Sequence, residues 1–155
     1  MLSALVLSGA PAVDLTRLHA QVLDPVLGTW KLNVAKSTFA GGRGPASQIV
    51  KFEQAGRGTA VTSVVVGSDG RMARSTYTAI YDGKRHPILG SPSADSVSFK
   101  RIDAWTVERT DTKGGRFTAS VTRVVSKDGK TLTVTTKAFD AQRRLVMGTT
   151  VYDRQ

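Results

Sequence analysis

The sequence predicts an all-β protein folded as a single antiparallel up-and-down β-barrel of 8–10 strands. From Val26 onward, short runs rich in β-branched residues alternate with glycine-containing turns, and no long helical periodicity interrupts them. The length of 155 residues, with 40% hydrophobic and 22% charged residues, is typical of one globular domain. A flat sheet of this many strands would leave long unpaired edges, and closure into a barrel removes them.

The turns locate the strands. Four segments contain the Asp-Gly or Gly-Gly pair that suits a tight hairpin: 68–71, 81–84, 113–116 and 127–130. The intervening segments are predicted as ten strands, of which the fifth is the weakest: 27–34, 47–54, 59–66, 71–81, 85–89, 95–101, 104–111, 116–126, 130–139 and 143–152. The glycine-rich segment 35–46 is the one long connection, and it is either a flap over a barrel mouth or a plain crossing loop.

The first residues differ in composition from the rest. Residues 1–21 are apolar and rich in small residues, which is typical of the later part of a signal peptide, and the alternative is a short N-terminal helix. Residues 22–155 form the predicted barrel domain. A signal-peptide remnant predicts a periplasmic or secreted bacterial protein, and without it the expected location is cytoplasmic.

Several kinds of chemistry are excluded by composition. The absence of cysteine excludes disulfides, thiolate zinc sites and cysteine nucleophiles. With His19 and His86 as the only histidines, we predict no metal site and no cofactor. No nucleophile elbow or phosphate-binding loop is present, so no catalytic residue is predicted. An enzyme on the same barrel stays an alternative, with His86 either a base at a barrel mouth or an ordinary surface histidine.

The formal charge of +10 biases encounters toward anionic partners. Successive turns of a meander alternate between the two barrel ends, which divides the basic residues into two groups: Arg43, Arg71, Arg116 and Arg143 at one rim, and Arg57, Lys84, Arg85, Lys127 and Lys130 at the other. Basic residues divided between two rims, with few aromatic residues near them, do not favour nucleic-acid binding. Nucleic acid through the basic surface and weak attraction to anionic lipids both stay open.

Two motifs resemble those of the calycins, the superfamily of lipocalins and fatty-acid-binding proteins. The run Gly28-Thr29-Trp30-Lys31-Leu32-Asn33 resembles the entry to their first strand, and Thr149-Thr150-Val151-Tyr152-Asp153 resembles the last strand of fatty-acid-binding proteins. The stretch from Gly28 to Phe39 is also similar to small exported bacterial lipocalin-like proteins of unassigned function. The resemblance implies that Gly28 and Trp30 are a structural signature, with Trp30 closing one barrel end.

The same resemblance implies an arginine stacked on Trp30, and we expect Arg143 or Arg144 to supply it. Two features of fatty-acid-binding proteins are missing. Residues 35–46 are too short for their helical lid, and Thr150 stands where their carboxylate-binding arginine would be. The motifs therefore indicate a fold more strongly than a ligand.

Two arginines share strand parity with apolar neighbours. Arg109 lies on the same predicted face as Trp105 and Val107, and Arg123 lies on the same predicted face as Phe117, Val121 and Val125. An inward arginine would favour a ligand with an anionic group, whereas a bulge or a register slip would turn the side chain outward. The predicted ligand-binding residues are Arg109, Arg123, Tyr77, Tyr152 and Trp105.

The leading hypothesis is a non-catalytic barrel that binds a small apolar or amphipathic molecule, with an anionic group where an arginine faces inward. The main alternative is a structural or envelope-interaction protein whose interior is filled by large side chains: Phe52, Val61, Phe99, Trp105, Phe117 and Met147. Cavity volume distinguishes the two. The sequence does not predict an oligomeric state.

Overall fold

The chain folds into ten antiparallel strands that close into a barrel, in a computed structural model that describes residues 23–155. The strands are β1 (Gly28–Thr38), β2 (Ser47–Ala55), β3 (Gly58–Val66), β4 (Met72–Ala79), β5 (His86–Leu89), β6 (Ser96–Arg101), β7 (Thr106–Lys113), β8 (Arg116–Val125), β9 (Thr131–Phe139) and β10 (Leu145–Arg154). Each strand pairs with its neighbours in sequence, and β10 pairs with β1. The predicted all-β fold, a single antiparallel up-and-down barrel of 8–10 strands, is confirmed.

The signal-peptide remnant or helix predicted for residues 1–21 lies outside the described residues, so the domain division stays a prediction. Residues 23–155 contain no helix of the length and apolarity that crossing a bilayer requires.

Connections alternate between two barrel ends. One end, which we call the open end, carries the connections 39–46, 67–71, 90–95, 114–115 and 140–144. The opposite end, the closed end, carries 56–57, 80–85, 102–105 and 126–130 together with residues 23–27. The open end carries the longest connection, residues 39–46, and the cavity described below reaches this end.

One of the two shortest hairpins, between β7 and β8, shows why the turn sequence matters. Lys113 pairs with Arg116, so the connection consists of two residues, Gly114 and Gly115, with φ of 57° and 76°. Positive φ at both positions gives the turn whose twist matches that of the flanking strands, and glycine adopts it without strain.

The barrel closes through β1 and β10. Trp30 pairs with Arg154 and Leu32 with Tyr152, after which the register shifts between Asn33 and Thr38. The bulge lets β1 continue to Thr38, beyond the predicted end at residue 34, because the strand pairs again with β10 after the irregularity.

A second bulge changes the direction of a predicted interior residue. Asp111 pairs with Ala119 but Thr112 pairs with Phe117, so β8 carries one extra residue there. The expected shared face of Phe117 and Arg123 is therefore wrong: Phe117 is exposed and packs edge-on against Phe139 on the outside.

The closed end is plugged by Trp30, which is fully buried and donates from Nε1 to the Val26 carbonyl at 2.7 Å. The stacking guanidinium belongs to Arg154, 4.1 Å from the ring centroid, and not to Arg143 or Arg144 as expected. Arg143 and Arg144 lie in the exposed turn at the open end, where Arg144 binds Asp140. Arg154 reaches Trp30 because β10 extends past the predicted end at residue 152 and pairs directly with the tryptophan.

Candidate ligand-binding site

The barrel interior is not filled by side chains. It contains a cavity of about 390 Å³ that extends to the loop residues Ser91 and Ser93 at the open end. Two of the side chains expected to fill a solid interior, Phe117 and Met147, are exposed on the outside of the barrel. The volume falls toward the lower end of the range for small-molecule sites, roughly 300–1,000 Å³.

Apolar side chains from strands on opposite sides of the barrel form much of the wall. Val50 and Phe52 come from β2, Phe99 from β6, Val121 from β8 and Leu132 from β9. Alternation along each strand directs these side chains inward, as the polar residues between them face out. The wall can therefore contact the apolar part of a ligand.

Arg123 lies on this wall with only 7% of its surface accessible. Its Nη2 donates to the Tyr81 hydroxyl at 3.2 Å, and its guanidinium carbon is 4.8 Å from the centre of the Phe52 ring. Within residues 23–155, no carboxylate lies close enough to form an ion pair with it. The charge of Arg123 is thus buried against neutral groups.

Arg109 also faces the cavity, but it has a carboxylate partner. Its Nη2 donates to Asp111 Oδ2 at 2.7 Å, and its Nε lies 2.7 Å from Asp111 Oδ1. Its Nη1 donates to the Tyr77 hydroxyl at 3.3 Å. Burial alone would lower the pKa of Arg109, but the charges and hydrogen bonds of Tyr77 and Asp111 outweigh it and raise that pKa. Arg109 and Asp111 therefore form an ion pair that carries no net charge.

A third polar group lies on the wall between β10 and β2. The Tyr152 hydroxyl donates to Gln48 Oε1 at 2.9 Å, and Gln48 Nε2 donates to Ser63 Oγ at 2.9 Å. Burial raises the pKa of Tyr152, so its hydroxyl is neutral at physiological pH and is available as a hydrogen-bonding group.

The ionised side chains on the cavity wall are Arg109, Asp111 and Arg123, which sum to a net charge of +1. Because Asp111 neutralises Arg109, the excess positive charge belongs to Arg123. A cavity with an apolar wall and one uncompensated cation is suited chemically to an amphipathic molecule with one negative charge.

A separate hollow of about 410 Å³ lies at the closed end, lined by Leu23, Asp24, Arg57, Tyr81 and Trp105 among others. Trp105 therefore lies outside the central cavity, whereas Arg109, Arg123, Tyr77 and Tyr152 line it. The ligand-binding role of these five residues stays a prediction.

Asp24 connects this hollow to Arg123. Its Oδ2 accepts hydrogen bonds from the Tyr81 hydroxyl at 2.7 Å and from Arg101 at 2.5 Å. Burial acts to raise the pKa of Asp24, but the hydrogen bonds from Tyr81, the Val26 amide and Arg101 outweigh it and lower that pKa. Tyr81 thus donates to a carboxylate while it accepts from Arg123, which orients its hydroxyl.

His86 does not lie at the cavity mouth. It belongs to the beginning of β5, toward the closed end, and its Nε2 lies 2.9 Å from Asp82 Oδ1. Among residues 23–155, no cluster of three or more histidine or acidic side chains is arranged to hold a metal ion.

Asp111 is the main site residue that the sequence interpretation missed. It lies two positions from Arg109 on β7, so the parity that predicts an inward arginine also predicts an inward carboxylate beside it. Phe52 was predicted only as filler of a solid core, but it contributes a ring to the Arg123 environment. Gln48 shares no motif with Tyr152, and its contact depends on the closure of the barrel.

Comparisons with known proteins give matches among solved structures alone. No family model matches the sequence, and no curated protein sequence matches it. Among solved structures, the chain is similar to the zebrafish ileal bile acid-binding protein in its complex with cholic acid. The TM-score is 0.48 and the identity 11%, and the match covers 84% of this chain and 99% of that one. At this score and identity the likeness does not indicate what this chain binds.

Proposed function

We propose that the barrel binds a small amphipathic molecule with a single anionic group, without chemical conversion. The anion lies at Arg123, and the apolar part of the ligand lies against the wall that includes Phe52, Phe99 and Leu132. The observation that carries the proposal is the buried, uncompensated charge of Arg123. Such a charge is costly to bury unless an opposite charge pairs with it, and a bound anion would supply that charge.

Arg109 supports the proposal by contrast. It faces the same cavity, but Asp111 already occupies one side of its guanidinium with two close contacts. An anion placed near this pair would be attracted by Arg109 and repelled by Asp111, so the pair gives little net attraction. Tyr77 and Tyr152 supply neutral hydrogen-bonding groups for the rest of a polar head.

The test is native mass spectrometry of the full-length protein purified without organic solvent, followed by thermal-shift measurements with matched ligand pairs. Decanoate and decanol share a chain and differ in charge. We expect a co-purified anionic ligand, or a larger stabilisation by decanoate than by decanol. Equal shifts from both compounds and no anionic adduct would contradict the proposal.

We further propose that the protein acts outside the cytoplasm, since the apolar segment 1–21 is typical of a signal-peptide remnant. Fractionation of its source cells tests this location. A protein recovered only from the cytoplasm, with residues 1–21 retained in its mass, would contradict it.

A further inference from the structure

Large apolar side chains are exposed on the outside of three adjacent strands at the open end. Phe117, Phe139, Leu145 and Met147 are 48%, 54%, 59% and 56% exposed, and we call these four residues the rim patch. The rings of Phe117 and Phe139 meet edge-on at 6.2 Å, and Phe139 pairs across the strands with Leu145. Met147 lies two positions further along the same face of β10. The patch is therefore contiguous.

Basic residues surround the rim patch. In the segments 113–119 and 135–149, the basic residues outnumber the acidic ones by five to one: Lys113, Arg116, Lys137, Arg143 and Arg144 against Asp140. Lys137 is paired across the strands with Met147, while Arg116 and Arg143 lie in or beside the turns that bound the patch. Asp140 is bound by Arg144 at 2.8 Å, and Asp95, from the neighbouring connection 90–95, accepts a hydrogen bond from the Gly114 amide at 2.7 Å. With both carboxylates counted, the five basic residues still exceed the acidic ones by three, so the border of the patch carries a net positive charge.

We propose that the open end docks on an anionic lipid surface through the rim patch and its basic border. Exposed apolar side chains of a docked protein enter the boundary between headgroups and acyl chains, and nearby lysines and arginines are attracted to anionic headgroups. The patch lies at the same end as the cavity mouth at Ser91 and Ser93. Docking therefore brings the mouth of the cavity close to the lipids.

A second copy of the chain fits the patch less well. In a two-fold symmetric dimer the same patch meets itself, so the basic border of one copy would lie against that of the other. Four side chains also cover less area than the roughly 800 Å² that each partner usually contributes to a stable interface. An anionic surface complements the charge, and a second copy opposes it.

The apolar part of the proposal is tested by vesicle co-sedimentation of the full-length protein. Vesicles of phosphatidylcholine alone are compared with vesicles that contain phosphatidylglycerol. We expect binding to the anionic vesicles, weakened about tenfold or more by Phe139→Ser with Leu145→Ser. The matched control is Ile102→Ser with Val124→Ser, which removes two exposed apolar side chains away from the patch and should leave binding unchanged.

The charged part is tested with Arg116→Glu and Lys137→Glu together, against Lys127→Glu at the closed end. We expect the affinity for anionic vesicles to fall about fivefold or more per replaced charge in the double variant, and to stay unchanged in the control. All substituted side chains are exposed, so melting temperatures near that of the wild type verify that each variant is folded.

Two results overturn the proposal. The first is that the wild type does not bind anionic vesicles, or that the patch variants and the control variants weaken binding equally. The other is a concentration-dependent dimer in sedimentation velocity that Phe139→Ser with Leu145→Ser abolishes, without vesicle binding, since a second copy would then occupy the patch. Arg123→Met should bind vesicles as the wild type does, so membrane docking and ligand binding fail or succeed separately.

Discussion

Replacement of Arg154 by alanine should destabilise the barrel more than replacement of any exposed arginine. The guanidinium stacks 4.1 Å from the centre of the buried Trp30 ring and donates to the carbonyls of Leu27, Pro25 and Gly129. A cation–π contact with a desolvated ring contributes about 2 kcal/mol, and each hydrogen bond about 1 kcal/mol or slightly less where water can replace it. The expected loss is about 4 kcal/mol, a large part of the total stability of a domain.

Urea unfolding followed by tryptophan fluorescence measures this loss. Arg154→Lys keeps the charge but cannot bind three carbonyls at once, so it should recover only part of the stability. Arg143→Ala is the matched control, because Arg143 is exposed at the open end and should change the free energy of unfolding by about 0.5 kcal/mol or less. A loss below about 1 kcal/mol for Arg154→Ala would refute the assigned closing role of the Trp30–Arg154 contact.

Three further predictions concern pH, backbone geometry and the buried charge. Because the pKa of Asp24 is lowered in the folded barrel, its contribution to stability is complete above its unfolded pKa of about 4 and disappears as pH falls through the folded value. Asp24→Asn should therefore make the urea midpoint fall less steeply between pH 6 and pH 3. If the midpoint falls as steeply as in the wild type, groups other than Asp24 cause the loss of stability. Gly90 has a φ of 75°, and an added Cβ would lie 2.1 Å from the Arg74 carbonyl oxygen, so Gly90→Ala should cost more than about 2 kcal/mol. Gly114→Ala, also at positive φ but with open space around it, should cost only about 1 kcal/mol, and equal losses in chemical denaturation would contradict the steric argument. Without ligand, Arg123→Met should leave the free energy of unfolding within about 1 kcal/mol of the wild type, and a much larger loss would make Arg123 a structural residue.

Turn chemistry and strand alternation predicted the fold because both are local. The Gly114-Gly115 pair sets a two-residue hairpin by its own backbone preference, and alternation in β9 directs Leu132 into the barrel without reference to distant residues. The end of β1 was predicted too early because its last pairing, from Thr38 to Thr149, depends on a bulge against β10. Bulges depend on the partner strand, and the sequence of one strand does not reveal them.

The same distinction applies to the site. Parity predicted inward Arg109 and Arg123 correctly as positions on the cavity wall, since the register of β7 and β8 is regular up to the bulge. Phe117 lies beyond that bulge and faces out. The partner of Trp30 was misidentified because it is set by the register between the first and last strands, a contact between residues 30 and 154 that only barrel closure creates.

The central claim is that Arg123 provides the binding site for a ligand anion. The most direct test measures the affinities of decanoate and decanol by displacement of 8-anilinonaphthalene-1-sulfonate. The proteins compared are the wild type, Arg123→Met and Arg71→Met, an exposed-residue control. We expect the wild type and the control to prefer decanoate, and Arg123→Met to lose about 100-fold in decanoate affinity with little change for decanol. A preference for decanoate that survives in Arg123→Met, or its absence from the wild type, would contradict the claim.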